Sequence, residues 1–368
     1  MPTHATTPYW LDEPYDPRPP LDGDAEVDVC VIGGGVGGLS CAKRLAEHGA
    51  DVLLLEGRTV GGGASGRNGG FLLAGAAAFH VDARERYGRD EARRLYAHTL
   101  AAQEELYALA AALGAGDAVR RVGCVRLAAS EEEAAHVLRH VEALHEDGFP
   151  AERVAGDDLP PILRRSGSVG CLTAHDGALQ PARWIRTLAL AAERAGARIC
   201  EGSPVEAPVP APGERELRSP GGAVRARHVV VAADGALPRL VPEYGDRVRS
   251  RRLHMVATAP LRERLLDGVV YARWGLEYFR QTLDGRLAVG GFGDLDGAAS
   301  YTDVEEGSPA VWARLEQYVR DDLGLGHAEV THRWVGVVGY VAGNAVAERI
   351  ATGRSEDVGL FAADRVTG

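Results

Sequence analysis

Lysine is almost missing from this chain. Lys43 stands alone among 368 residues and arginine carries the remaining positive charge, which reads as codon usage more than function. Positive charge is short as a whole: 41 Lys and Arg face 52 Asp and Glu, a formal net charge of −11. A surface of that sign repels phosphate backbones and anionic lipid, so neither nucleic acid nor membrane is an expected partner. Cysteine is sparse: Cys30, Cys41, Cys124, Cys171 and Cys200 are odd in number and include no C-x-x-C. Cys30 and Cys41 fall in apolar segments, which predicts buried reduced thiols and a cytoplasmic location. No apolar run approaches the ~18 residues of a membrane span, and the N-terminus shows no basic-plus-apolar leader pattern. The expectation is a soluble protein long enough to form two lobes.

What is present is concentrated between residues 27 and 70. Val27-Asp28-Val29-Cys30-Val31-Ile32 is a β-branched apolar run, which suits a strand buried on both faces. It enters Gly33-Gly34-Gly35-Val36-Gly37-Gly38, a G-x-G-x-x-G, followed by a helical stretch from Leu39 to His48 with Gly49 as its cap. A second strand, Asp51 to Glu56, completes a βαβ unit. Gly33 permits the turn, Gly35 lets backbone approach a pyrophosphate, and Gly38 lets helix pack on strand. The helix N-terminus offers N–H groups and a positive dipole end to phosphates, and Val36 joins the glycines as a cofactor-binding candidate. Glu56 is placed to accept hydrogen bonds from a ribose. This order predicts a dinucleotide site, and spacing alone leaves FAD and NAD both open.

The continuation runs Glu56-Gly57-Arg58-Thr59-Val60-Gly61-Gly62-Gly63-Ala64-Ser65-Gly66-Arg67-Asn68-Gly69-Gly70. It resembles the glycine and D-amino acid oxidase (DAO) family of FAD enzymes, and within it the γ-glutamylputrescine oxidase-like branch, where Glu-x-Arg is followed by a glycine-rich loop of this type. The resemblance implies FAD and adds Gly57, Arg58, Gly63, Ala64, Ser65, Arg67, Asn68, Gly69 and Gly70 to the cofactor-binding candidates. It also implies backbone contact near Val205. The strand end Ala233-Asp234-Gly235-Ala236 is similar to the family's second FAD contact and adds Ala233 and Gly235, with Asp234 where Thr or Asn is more usual. The implied fold is α/β and two-lobed: a Rossmann-like FAD-binding lobe with an antiparallel-sheet substrate lobe. Expected boundaries are an extended, proline-rich arm at 1–26, an FAD-binding lobe at 27–80, 165–250 and 330–368, and a substrate lobe at 81–164 and 251–329.

Elsewhere the pattern predicts a helix over 82–113, a serine-capped helix from Ser130 to about His145, and a helix over 182–195 with Pro181 at its first position. Short strands are expected over 122–128, 253–260, 269–272, 278–282 and 286–291, a helix over 305–323, and a strand over 332–339 returning to the FAD lobe. His136, His140 and Glu142 lack a further ligand and are expected as solvated residues of an exposed helix, with no metal.

The resemblance implies oxidation of an amine C–N bond: hydride passes to flavin N5, the imine hydrolyses, and oxygen is the expected acceptor. Flavin carries that chemistry, so no general-base motif is expected and none is visible. Pocket candidates on the substrate-lobe strands are Arg252, His254, Tyr271, Tyr278 and Arg280. Glycine oxidase-like sequences place a carboxylate-binding arginine in Trp-x-Gly-x-Arg, which here reads Trp334-Val335-Gly336-Val337-Val338. The valine points away from small α-amino acids and towards an amine or polyamine derivative. The family's closing G-Y-S-G-H-G and helix are replaced by Gly359–Gly368. This reads as a shortened end, and it keeps open a flavin-binding protein with lost or impaired catalysis; a nicotinamide-dependent dehydrogenase is the least favoured reading.

Overall fold

The computed structural model describes residues 6–76, 78–209 and 216–341. In chain order the first half contains β1 (Ala25–Ile32), α1 (Val36–Glu47), β2 (Val52–Leu55), β3 (Phe71–Leu72), α2 (His80–Tyr87), α3 (Arg89–Ala112), β4 (Val119–Arg121), β5 (Cys124–Leu127), α4 (Glu131–Glu146), β6 (Glu152–Ala155), β7 (Val169–Thr173) and β8 (Gly177–Leu179). The second half contains α5 (Pro181–Arg194), β9 (Arg198–Cys200), β10 (Glu216–Ser219), β11 (Gly222–Val231), α6 (Leu237–Leu240), β12 (Val248–Thr258), β13 (Val269–Ala272), β14 (Glu277–Gln281), β15 (Leu287–Gly291), α7 (Pro309–Gln317) and β16 (Val330–Val341).

A five-stranded sheet in the order β10-β11-β1-β2-β9 forms the first lobe, parallel except for β10. Alternating side chains of β1 and β2 bury both faces. Val29, Val31, Val52 and Leu54 pack with Leu39, Ala42 and Leu45 of α1 and with Ile185, Leu188 and Ala192 of α5. Cys30, Ile32, Leu53 and Leu55 pack with Leu217, Val224 and Ala226 on the other side. Each fully buried leucine contributes roughly 1.5–3 kcal/mol, which fixes the register of the strands feeding the glycine turn.

The second lobe is an eight-stranded sheet, β16-β12-β15-β14-β13-β5-β7-β6, with neighbours antiparallel except for β13 and β5. A three-stranded antiparallel sheet takes the order β3-β8-β4. One face of the large sheet presents Val256, Phe279, Val289 and Val335 to Val311, Trp312 and Leu315 of α7. The opposite face presents Met255, Ala257, Ala288 and Trp334 to Trp10 of the arm and Ala182 of α5.

The structure departs from the sequence reading at four places. The long helix over 82–113 is broken at Gly88, whose φ of +81° suits glycine, giving α2 and α3. The helix expected over 305–323 starts only at Pro309 in its first turn, leaving Glu305 in a loop; it continues as a π turn over Tyr318–Asp322. β7, the whole of β12 and β16 belong to the eight-stranded sheet, so 169–173, 248–250 and 330–341 sit with the expected substrate lobe, because β16 pairs along β12 from Val248 to Thr258. His140 is not solvated: it is buried, accepts the His80 backbone N–H at 2.8 Å, and burial holds its imidazole far below the ordinary value. Ser130 caps α4 as expected, its Oγ accepting the Glu133 N–H at 3.1 Å. The closing segment 359–368 lies outside the described residues.

Candidate active site

Parallel strands β1, β2 and β11 end at one edge, where open α/β sheets receive ligands. Gly33, with φ of +112°, passes so close to β11 that an added Cβ would lie 2.4 Å from the Ala232 carbonyl oxygen. A Cβ at Gly38 would lie 2.0 Å from the Gly33 oxygen. Bulk is therefore excluded where strand, turn and α1 meet. The N-terminus of α1 is open: Gly35 gives no side-chain cap, Val36 is exposed, and a Cβ at Gly37 would meet nothing within 4 Å. Glu56 is half-buried, accepting the Gly34 N–H at 2.6 Å and the Arg58 N–H at 2.8 Å. A carboxylate has about four acceptor sites, so it retains capacity for ribose hydroxyls.

The loop 61–70 folds over this opening. The Ser65 hydroxyl accepts the Val36 N–H at 3.0 Å, and Gly57 lies against Pro204, next to Val205. Arg67 donates to the Gly62 carbonyl at 2.8 Å and to Glu305 at 2.8 Å; Glu305 also accepts from Arg58 at 2.7 Å. Burial pulls Arg67 below its ordinary value, with Glu305 opposing and Arg58 reinforcing that shift. Asn68 holds the Gly70 N–H at 2.7 Å, and Gly69 lies against the Tyr278 ring. At the end of β11, Asp234 takes a φ of +47° and accepts the Gly339 N–H at 3.1 Å, while the Gly235 carbonyl accepts from Ser250 at 2.6 Å. Burial raises the Asp234 carboxyl, and the Gly339 and Gly235 N–H groups oppose it. An open helix N-terminus, a reachable acid at the end of β2 and a glycine-rich cover fit a dinucleotide cofactor.

The five pocket candidates divide between the two faces of the large sheet. Tyr271 and Tyr278 face the loop, their rings 5.1 Å and 5.9 Å from Phe71. Arg280 lies on the same face beneath Gly70, donating to the Leu179 carbonyl at 2.7 Å. Arg252 and His254 are on the other face. Arg252 donates to Asp296 at 3.0 Å, and His254 accepts the Ser308 N–H at 2.8 Å beside Trp312. Burial lowers His254 to about 4, with Asp296 opposing, so it is a neutral imidazole under α7 and not part of the pocket. Strand alternation decides this: His254 pairs with Val335, whereas Met255 pairs with Trp334.

The residue that sequence reasoning missed is Arg251. Val338 stands where the arginine of Trp-x-Gly-x-Arg would be, and its cross-strand partner is Arg251. Opposed residues share a face, so a guanidinium returns to this face from the neighbouring strand. It lies 5.3 Å from the Tyr340 ring and 5.5 Å from the Tyr301 ring, and its Nε has no hydrogen-bond partner. The run Arg249-Ser250-Arg251-Arg252 offers charge to both faces; only the register with β16 selects one.

These features define a dinucleotide-binding α/β protein with a sheet facing its cofactor loop. The sequence profile of the family described as FAD dependent oxidoreductase (DAO) matches residues 28–364, and the chain belongs to that family. It is 31% identical over 345 residues to the gamma-glutamylputrescine oxidoreductase of Escherichia coli (strain K12), covering 88% of this chain and 76% of that one. It is 29% identical to the probable oxidoreductase OrdL of Rhizobium meliloti (strain 1021), covering 90% of this chain and 78% of that one. Among solved structures, the glycine oxidase of Geobacillus kaustophilus superposes with a TM-score of 0.71 at 23% identity, over 86% of this chain and 84% of that one. Among the described residues no group of His, Cys, Asp and Glu is arranged to hold a metal, and no helix is long and apolar enough to cross a membrane.

Proposed function

We propose that this protein oxidises the C–N bond of an amine that carries a carboxylate at a distance from the reacting nitrogen. FAD, when bound, supplies the two-electron acceptor, with oxygen as the final acceptor. The observation behind this reading is the make-up of the loop-facing side of β12, β13, β14 and β16. It offers the phenols of Tyr271, Tyr278 and Tyr340 and the guanidinium of Arg251, while the neighbouring positions are Leu253, Gly336 and Val338 rather than acids or histidine. Among the described residues these strands bring no carboxylate to that face to hold a substrate nitrogen as an ammonium ion, and a nearby arginine favours its neutral form. Loss of hydride requires that neutral form. Burial pushes Tyr271 up to about 12, so its hydroxyl stays a hydrogen-bond donor at neutral pH. Arg251 would hold the carboxylate and set the distance to the reacting carbon. The imine that results is hydrolysed by water to a carbonyl compound and the amine fragment.

The Escherichia coli relative is named for γ-glutamylputrescine, a compound with a free amine at one end and a carboxylate at the other, which has this shape. The cofactor contacts that go with this reading are Gly33, Gly35, Val36, Gly38 and Glu56 for the adenosine diphosphate half, with Gly63, Ala64, Ser65, Arg67, Asn68, Gly69, Gly70, Ala233 and Gly235 towards the flavin. The test is anaerobic bleaching of the flavin with γ-glutamyl diamines, simple diamines, glycine and D-alanine. The expected order of rates follows that sequence. A clear preference for glycine or D-alanine would overturn the substrate assignment.

A further inference from the structure

A cavity of about 280 Å³ lies beneath the arm, away from the stretch around Arg251. Its walls include Trp10, Arg120 of β4, Ala178 of β8, Arg280 of β14 and the hairpin that follows β14. Most of the charges around it are already matched. Glu13 is held by Arg183 at 2.7 Å, Asp284 by Arg286 at 3.0 Å, and Asp12 by His332 at 3.1 Å. Asp117 is exposed at the rim.

Two guanidiniums remain. Arg280 is 4% exposed, lies 4.6 Å over the Trp10 ring and gives one hydrogen bond, to the Leu179 carbonyl. Its Nε has no partner, and among the described residues no carboxylate lies within ion-pair distance of it. Burial pulls it down to about 9, and Arg120 adds to that shift; it remains a cation at neutral pH. Arg120 is half-buried, likewise lacks an ion-pair partner among the described residues, and is itself lowered by burial. A buried cation is costly unless negative charge is brought to it. One carbonyl and one aromatic face supply only part of that, and a second cation beside it removes some again.

We propose that this cavity is a binding site for a small oxyanion, a carboxylate or phosphate group held between Arg280 and Arg120. Guanidinium forks match both anions through paired N–H donors. The site lies away from Arg251 and does not depend on the proposed reaction. It does touch the cofactor loop, because an added Cβ at Gly70 would lie 2.9 Å from Arg280. An anion drawn to Arg280 therefore bears on the segment that covers the flavin.

The experiment is calorimetric titration of the FAD-loaded protein with inorganic phosphate and, separately, with acetate, at constant ionic strength set by chloride. Saturable binding of one anion to one site per chain is expected, and the arm that binds identifies the group. Arg120→Gln should weaken it at least tenfold while leaving the fold intact, since the Arg120 side chain makes no hydrogen bond among the described residues. Arg280→Gln should abolish it, whereas Arg198→Gln, on the exposed end of β9, should change nothing. Absence of saturable binding for both anions overturns the proposal. So does binding that survives Arg120→Gln unchanged, which would locate the anion elsewhere.

Discussion

The two faces of the eight-stranded sheet handle arginine in opposite ways. Beneath α7, every arginine that comes inward meets an acid: Arg252 with Asp296 at 3.0 Å, Arg273 with Glu277 at 2.7 Å, Arg333 with Glu316 at 2.6 Å. On the face towards the cofactor loop, Arg126, Arg251 and Arg280 have no ion-pair partner among the described residues. Instead they lie against rings: Arg126 at 5.2 Å from Phe79, Arg251 at 5.3 Å from Tyr340, Arg280 at 4.6 Å from Trp10. One face spends its charges on closing the fold. The other leaves them against aromatic rings, where the anions proposed above would meet them. Pairing, more than burial, separates a structural cation from a recognising one.

The sharpest way to break this contrast is to unpair a structural arginine. Arg333→Met leaves the nearly buried Glu316 with only the longer contact to Arg320 at 3.7 Å, and removing one partner of a buried pair costs up to about 3–5 kcal/mol. The urea midpoint should fall accordingly, while Arg251→Met shifts it little. Equal losses in the two variants would dissolve the distinction.

A pH titration probes the same side. The buried His254 imidazole, lowered to about 4, is neutral in the fold, whereas the unfolded chain protonates it near 6.5. The unfolded state therefore binds more protons across that window, and stability falls as pH drops from about 6.5 towards 4. The loss reaches a few kcal/mol at its lower end, at about 1.4 kcal/mol per pH unit. His254→Gln, which keeps an acceptor for the Ser308 N–H, should flatten the dependence between those values. An unchanged slope would show that another group titrates.

On the cofactor side, Glu56→Ala removes acceptors for the Gly34 and Arg58 amides as well as for a ribose. Charge-assisted bonds of this type are worth about 1.5–3 kcal/mol. FAD affinity, read by ultrafiltration and flavin fluorescence, should drop more than tenfold; retention equal to wild type would remove Glu56 from the site. The smallest effect is expected at Arg251. Arg251→Met should raise KM about tenfold for an amine bearing a distal carboxylate and leave a plain diamine nearly unaffected. Parallel losses on both substrates would make Arg251 a packing residue.

Much of the first lobe was legible because its signals are local. The run Val27–Ile32, the six residues Gly33–Gly38 and the acid at Glu56 each carry their meaning within a few neighbours, and β1, α1 and β2 begin and end within three residues of expectation. The second lobe is built on non-local register. Whether Arg251 or Arg252 faces the loop depends on how β12 lies against β16, some eighty residues later, and a slip of one residue exchanges the faces. Local periodicity also concealed the break at Gly88, where apolar spacing continues across two helices, and it hid the burial of His140, whose partner His80 is supplied by α2.

Two indoles set the electrical polarity of the cofactor loop. Trp10 donates to the Asn68 carbonyl at 2.7 Å, and Trp334 donates to the Arg67 carbonyl at 2.8 Å, from rings packed edge to face at 6.2 Å. Consecutive carbonyls are thus drawn towards the same tryptophan pair. In a planar trans peptide the N–H points opposite to its own C=O. The amides of Asn68 and Gly69 are therefore turned together towards the far side, as a two-pronged donor fixed in direction by residues more than 300 positions apart in the chain. An acceptor edge of a planar ring bound there would meet a pair of dipoles already aligned, with no reorientation left to make.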